Sequence, residues 1–89
     1  MINTELTIIN KLGLHARAAT KLAQTANQFA STIRCGHNGK LVDAKSVMAV
    51  MMLAASKGTV LEWEIDGRDE KHALAAIDAL IADCFGEEQ

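Results

Sequence analysis

Between Asn10 and Thr20 the hydrophobic pattern changes its period, and few folds accommodate that change so early in a short chain. Before it, Ile2, Leu6 and Ile8 alternate with polar Glu5 and Thr7, which predicts a first strand with one buried face running to Ile9. Asn10 and Gly13 are turn residues. From Ala16 the apolar set Ala19, Leu22, Ala23 and Ala26 recurs at three- and four-residue steps. That spacing predicts an amphipathic helix to about Gln28, with Lys21, Gln24 and Gln28 outward.

The remaining elements follow the same two periods. Ile33 and Cys35 alternate with Arg34 over Thr32 to His37, and Asn38-Gly39 is a tight-hairpin signal leading into Lys40-Leu41-Val42. Ser46 suits the N-cap of a short helix ending near Leu53. Thr59 to Ile65 reads as a fourth strand with Trp63 in the core. After the turn at Gly67, Asp69 is expected to cap a last helix whose stripe is Leu74, Ile77, Leu80, Ile81 and Cys84. Gly86 to Gln89 is expected to fray. The order β-α-β-β-α-β-α predicts an α+β domain, with helices on one face of a mainly antiparallel sheet and the other face wet.

Eighty-nine residues hold one core and not two, so a single domain over 1–89 is expected. Proline is absent and glycines number six, so no linker divides the chain. The N-terminus lacks a basic segment followed by an apolar one, and the longest apolar run, Val47 to Ala55, is far too short to span a bilayer. The expected location is cytoplasmic, without membrane insertion. Cys35 and Cys84 are expected to be reduced, buried and inert.

Charge is distributed unevenly. Through Lys45 six basic residues face two acids, whereas beyond it three face nine, for a net charge of −2. The basic half suits an acidic partner surface or a phosphorylated donor. Nucleic acid is a poor match, because aromatic content is 3% and the pI is about 5.8. No His, Cys, Asp or Glu group has zinc-ligand spacing, no serine occupies a nucleophile elbow, and no GxGxxG or Walker motif occurs. Neither a metal nor a nucleotide cofactor is expected, and His37 and His72 are expected to be surface residues.

His15 is therefore the residue with chemistry to explain. It falls at or just before a helix start, where unpaired backbone N–H groups and the helix dipole attract anions, phosphate above all. A neutral imidazole there is a nucleophile, beside amides able to hold a phosphoryl group, and Arg17 can bring a guanidinium fork to the same anion. The competing explanation is a polar cap, although Ser, Thr, Asp or Asn would serve better. The residues alone leave both open. A second site is the Ser46 helix, where Val47, Met48, Val50, Met51, Met52 and Leu53 are too many apolar residues for one buried stripe. Exposed methionines repack easily against different partners.

Gly13-Leu14-His15-Ala16-Arg17-Ala18-Ala19-Thr20 resembles the active-site signature of the HPr family, the histidine-containing phosphocarriers of the bacterial phosphotransferase system. Lys45-Ser46-Val47-Met48-Ala49-Val50-Met51-Met52-Leu53 resembles that family's regulatory serine signature, and the element order fits from Met1 to about Phe85. Many members have proline where this chain has Ala18; its loss removes no chemical group. The resemblance implies an open-faced β-sandwich with sheet order 1-4-2-3 and three helices on one face. It also implies a phosphoryl group carried on Nδ1 of His15, received from phosphorylated Enzyme I and passed to an Enzyme IIA-type protein, with Arg17 stabilising the transferring charge. The chain would then be a stoichiometric carrier and a monomer, and no enzyme in its own right. Ser46 would be a regulatory phosphorylation site for a serine kinase/phosphorylase, and Thr20, Lys21, Val47, Met48 and Met51 are the candidate partner-binding residues. Two alternatives are a regulatory interaction module controlled at Ser46 with little phosphotransfer, and an anion-binding protein in which His15 is only a cap.

Overall fold

Period-two segments become strands and period-3.6 segments become helices over the 1–87 stretch described by the computed structural model. The order is β1 (Ile2–Thr7), α1 (Ala16–Ala26), β2 (Thr32–His37), β3 (Lys40–Asp43), α2 (Val47–Met52), β4 (Val60–Asp66) and α3 (Glu70–Ala82), then a 3-10 turn over Cys84–Gly86. The strands form one antiparallel sheet in the order β1-β4-β2-β3, as the family resemblance implied. β4 lies in the middle, with Leu6 of β1 opposite Leu61 and Cys35 of β2 opposite Trp63.

Burial follows position in the sheet. The central strands carry the fully buried side chains Leu61, Trp63, Ile65, Ile33 and Cys35, whereas Ile2 and Leu6 of edge strand β1 are only partly covered. Three helices close over that face and leave the other open. α1 contributes Ala18, Ala19, Leu22, Ala23 and Ala26, mostly small residues that bring its backbone close to its neighbours. α3 adds Ala73, Ile77 and Ile81, and α2 adds Val50. Each large side chain fully buried here contributes about 1.5–3 kcal/mol relative to exposure. The β2–β3 hairpin turns on Asn38 (φ 57°) and Gly39 (φ 77°), the paired positive φ angles of a two-residue turn that matches strand twist.

Several expectations are corrected. β1 stops at Thr7; Ile8 is buried, but its backbone joins the loop before β4, donating to Thr59 O at 2.9 Å and accepting from Gly58 N at 2.7 Å. α1 ends at Ala26, short of Gln28, because Asn27 closes it. Asp69 stands at the N-cap position of α3 without capping it. Its carboxylate instead accepts from Ala30 N at 2.8 Å, Ser31 N at 2.9 Å and the Ser31 hydroxyl. The Gly67 amide is met by Glu70 Oε1 at 3.1 Å, so the acid one residue later serves the start of α3. Cys35 is buried as expected, and burial pushes its thiol up to about 12, which keeps it protonated and inert. Cys84 is only half-buried and lies beyond α3, outside its apolar stripe. Lys21 does not point freely outward, since its Nζ donates to Phe85 O at 2.7 Å. Gly86 and Glu87 are folded back on the molecule; Glu88 and Gln89, also expected to fray, lie outside the described residues.

Candidate functional site

The loop joining β1 to α1 is shaped by Gly13. It has φ +66°, and a Cβ there would come within 2.4 Å of Ala55 O. The absence of a side chain lets the loop lie against the loop that follows α2, where Leu14 N donates to Ala55 O at 2.8 Å. Buried Asn10 tightens the same turn, its Nδ2 donating to Gly13 O at 2.8 Å. Held at both ends, the chain delivers His15 to the N-cap of α1 with extended backbone (φ −73°, ψ 178°).

His15 is thus the cap of α1. Its carbonyl accepts the first helical bond from Ala19 N at 2.8 Å, and its Nδ1 accepts from Arg17 N at 3.3 Å. Nδ1 consequently faces the unpaired amides and the positive end of the helix dipole, the arrangement that suits an anion arriving at that nitrogen. No acidic side chain stands in the first turn of α1 to neutralise it. Nε2, on the other edge of the ring, pairs with Glu87 Oε2. The second carboxylate oxygen of Glu87 accepts from Asn10 Nδ2 at 2.9 Å. The Asn10 hydrogen bond, working against desolvation and assisted by His15 and Arg17, holds the Glu87 carboxyl below the usual carboxylate range. Arg17, the second residue of α1, is exposed, and its charge reaches Glu87.

The sequence model of the family described as "PTS HPr component phosphorylation site" matches residues 2–83. The chain belongs to the HPr family. It is 55% identical over 87 residues, 98% of each chain, to the phosphocarrier protein HPr of Cupriavidus necator. Among solved structures it is similar to HPr-C-His from Thermoanaerobacter tengcongensis, with TM-score 0.94, 43% identity and complete coverage of both chains. It is also similar to the HPr dimer from the same organism, with TM-score 0.78, 42% identity and coverage of 98% of this chain and all of that one. Membership makes the chain a phosphocarrier component of the phosphotransferase system, consistent with sugar transport and its regulation.

The other HPr candidates divide by geometry. Ser46 is the N-cap of α2, its Oγ accepting from Ala49 N at 3.2 Å. α2 runs antiparallel to α1: Asn27, at the end of α1, donates to Lys45 O at 3.0 Å, while the loop after α2 meets Leu14. Ser46 therefore lies toward the C-terminal end of α1, whereas His15 stands at its N-terminus. Met48 is 75% exposed and Met51 41%, whereas Val47 packs partly against the core. Thr20 is half-buried with its hydroxyl donating to Ala16 O at 2.8 Å, and Lys21 is engaged by Phe85 as described. Of the remaining histidines, His37 is half-buried with Nε2 3.1 Å from Leu53 O, and His72 is exposed. Among the described residues no group of three or more His, Cys, Asp or Glu could hold a metal ion, and no helix is long and apolar enough to cross a membrane.

Periodicity missed Glu87, whose contact with His15 spans 72 residues of chain, because a terminal acid after a glycine carries no pattern. Met52, 80% exposed, belongs to the apolar surplus expected on α2, whereas Leu12, 66% exposed and not singled out by the sequence pattern, adds apolar surface on the loop before His15. Their signal was present in composition, as apolar residues on a short helix or in a turn with no core position to fill.

Proposed function

We propose that His15 accepts a phosphoryl group on Nδ1 from phosphorylated Enzyme I, itself charged from phosphoenolpyruvate, and passes it to an Enzyme IIA-type protein. The observation that carries this reading is the orientation of the ring, with Nδ1 turned to the free end of α1 and Nε2 engaged elsewhere. The Nδ1 lone pair attacks phosphorus, the bond from phosphorus to the donor breaks, and its electron pair returns to the donor. The Arg17 amide and its neighbours then face phosphoryl oxygens, and the guanidinium neutralises part of their charge. The protein acts as a stoichiometric carrier, a cytoplasmic monomer that needs no metal or cofactor of its own.

Thr20, Lys21, Val47, Met48 and Met51 are proposed to form the docking surface, with the exposure of Met48 and Met51 as the strongest support. Ser46 is proposed as a regulatory site for a serine kinase/phosphorylase, because a phosphate on an N-cap meets free amides and leaves the helix intact. The test of the carrier reading is incubation with Enzyme I and phosphoenolpyruvate, followed by mass measurement and acid treatment. One acid-labile phosphoryl group on the parent and none on His15→Ala is expected. A labile group retained by His15→Ala rules the assignment out.

A further inference from the structure

The chain beyond α3 is built to bring one carboxylate to His15. Phe85 is fully buried and anchors the segment, and its carbonyl is held by Lys21 Nζ at 2.7 Å. Cys84 (φ 53°), Phe85 (φ 56°) and Gly86 (φ 78°) are three consecutive residues in the left-handed region. Two of them carry side chains that disfavour it, so the surrounding contacts must hold the reversal in place. Gly86 N donates to Asp83 O and Glu87 N to Cys84 O, each at 3.0 Å, which closes the turn and points Glu87 back across the molecule. There both carboxylate oxygens find partners, one on buried Asn10 and one on Nε2 of His15.

We propose that Glu87 is a positioning residue for the phosphoryl acceptor: by accepting the Nε2–H of His15 it fixes the ring with an unprotonated Nδ1 facing α1, and it balances the positive charge the ring gains on phosphorylation. The proposal deepens the reading of His15 as acceptor and rests on it. A neutral imidazole with its proton on Nε2 uses the Nδ1 lone pair to form the new bond to phosphorus. The donor keeps the electron pair of the bond that breaks. No proton leaves Nε2, so the phosphorylated ring carries a delocalised positive charge beside the Glu87 carboxylate. Glu87 meets the ring at Nε2 and the Arg17 backbone amide meets it at Nδ1, so stabilisation of the ring does not require the two anions to share one space. Asn10, with its amide already committed to the Gly13 carbonyl, keeps the carboxylate from swinging away.

Two variants separate orientation from charge. Glu87→Ala removes both, whereas Glu87→Gln keeps a carbonyl acceptor for Nε2–H and loses the negative charge. In proton NMR of the unphosphorylated parent at neutral to mildly alkaline pH, a protected Nε2–H resonance of His15 is expected, retained in Glu87→Gln and lost to solvent exchange in Glu87→Ala. In transfer from phosphorylated Enzyme I at low salt, the equilibrium should move toward the donor by about tenfold in both variants, as loss of a charge-assisted hydrogen bond implies. Thermal unfolding confirms that both variants fold. Absence of the resonance in the parent, or its persistence in Glu87→Ala, overturns the ring contact whatever the transfer assay gives. An unchanged equilibrium in both variants overturns charge balancing. A parent that accepts no phosphate at all sinks the acceptor reading itself, and the resonance still reports on the contact separately.

Discussion

His15 differs from the other two histidines in what its ring nitrogens meet. Nδ1 of His15 faces a helix N-terminus, whereas His37 is tied to the Leu53 carbonyl beside the hairpin and His72 stands in solvent on the first turn of α3. His37→Ala and His72→Ala should therefore retain phosphoryl acceptance within about twofold, and His15→Ala should lose it with the fold intact, as far-ultraviolet circular dichroism and the labile-phosphate assay will register. Arg17→Ala should behave differently from either. It removes the cation proposed to meet the transferring charge and leaves the proposed nucleophile, so a rate reduced by about ten- to a hundredfold with little change in docking affinity is expected from single-turnover kinetics. Gly36 presents a steric case of another kind: a Cβ there would come to 1.7 Å from Lys40 O. Because the obstruction is backbone in the β2–β3 ladder, Gly36→Ala should cost about 1–3 kcal/mol in chemical denaturation.

At the level of elements, α2 works through its two ends and its outer face. Only Val50 of this short helix is buried, which frees Met48, Met51 and Met52 for contact with other molecules. Met48→Asp should weaken binding to Enzyme I by about tenfold or more while changing stability by less than about 0.5 kcal/mol, a contrast that titration calorimetry and thermal unfolding together can detect. Equal affinity of variant and parent would remove α2 from the interface. Ser46→Asp probes the far end of the same helix. Ser46 lies toward the C-terminal end of α1 and His15 at its N-terminus, so a charge at Ser46 is expected to act on the partner more than on the imidazole. Transfer should slow through weaker docking, with the defect shrinking as salt is raised, and the melting temperature should hold or rise slightly because the carboxylate still meets the α2 N-terminus. A salt-independent defect would point to a structural cause.

Across the described residues, the carboxylates whose pKa values are lowered, Asp69, Glu70 and Glu87, join segments far apart in the chain, and their titration contributes to how stability depends on pH. Asp69 ties the start of α3 to Ser31 and Ala30, Glu70 reaches the Gly67 amide and the Met1 ammonium, and Glu87 reaches Asn10 and His15. All three carboxyls lie below their usual range: Asp69 chiefly through the Ser31 hydroxyl, Glu70 through the Gly67 amide, Glu87 through the Asn10 amide. A depressed folded value means that the native state binds fewer protons than the unfolded one, so the stabilisation is full above the ordinary carboxylate range and is lost as pH falls through the folded values. The Met1 ammonium has the opposite sign. Its value is raised chiefly by the hydrogen bond to Glu70, so its contribution is present below the ordinary amine range and is lost as pH rises through the folded value. The melting temperature should therefore be highest between these windows and fall on the acid side, and Asp69→Asn should flatten the acid limb.

What the sequence determined by itself was everything that repeats over a few residues. Alternation in β2 and β4, the three- and four-residue steps of α1, the Asn38-Gly39 hairpin and the Ser46 cap are each governed by local backbone geometry and by which side of one element is apolar, so they were legible before any packing was known. The place of His15 at a helix start was legible for the same reason. The strand order was not, because alternation states which face of a strand is buried and not which strand lies beside it; family resemblance supplied it, and the ladder of β4 against both β1 and β2 bears it out. Tertiary structure alone decided the partners of isolated polar side chains. Asp69 has the composition of a cap, yet buried Ser31 and its neighbouring amide lay closer to need, and a buried hydrogen-bonding group left unpaired costs more than an exposed helix end. Glu87 was placed by a buried phenylalanine, a lysine from α1 and three left-handed residues acting together, a conjunction with no period to read along the chain.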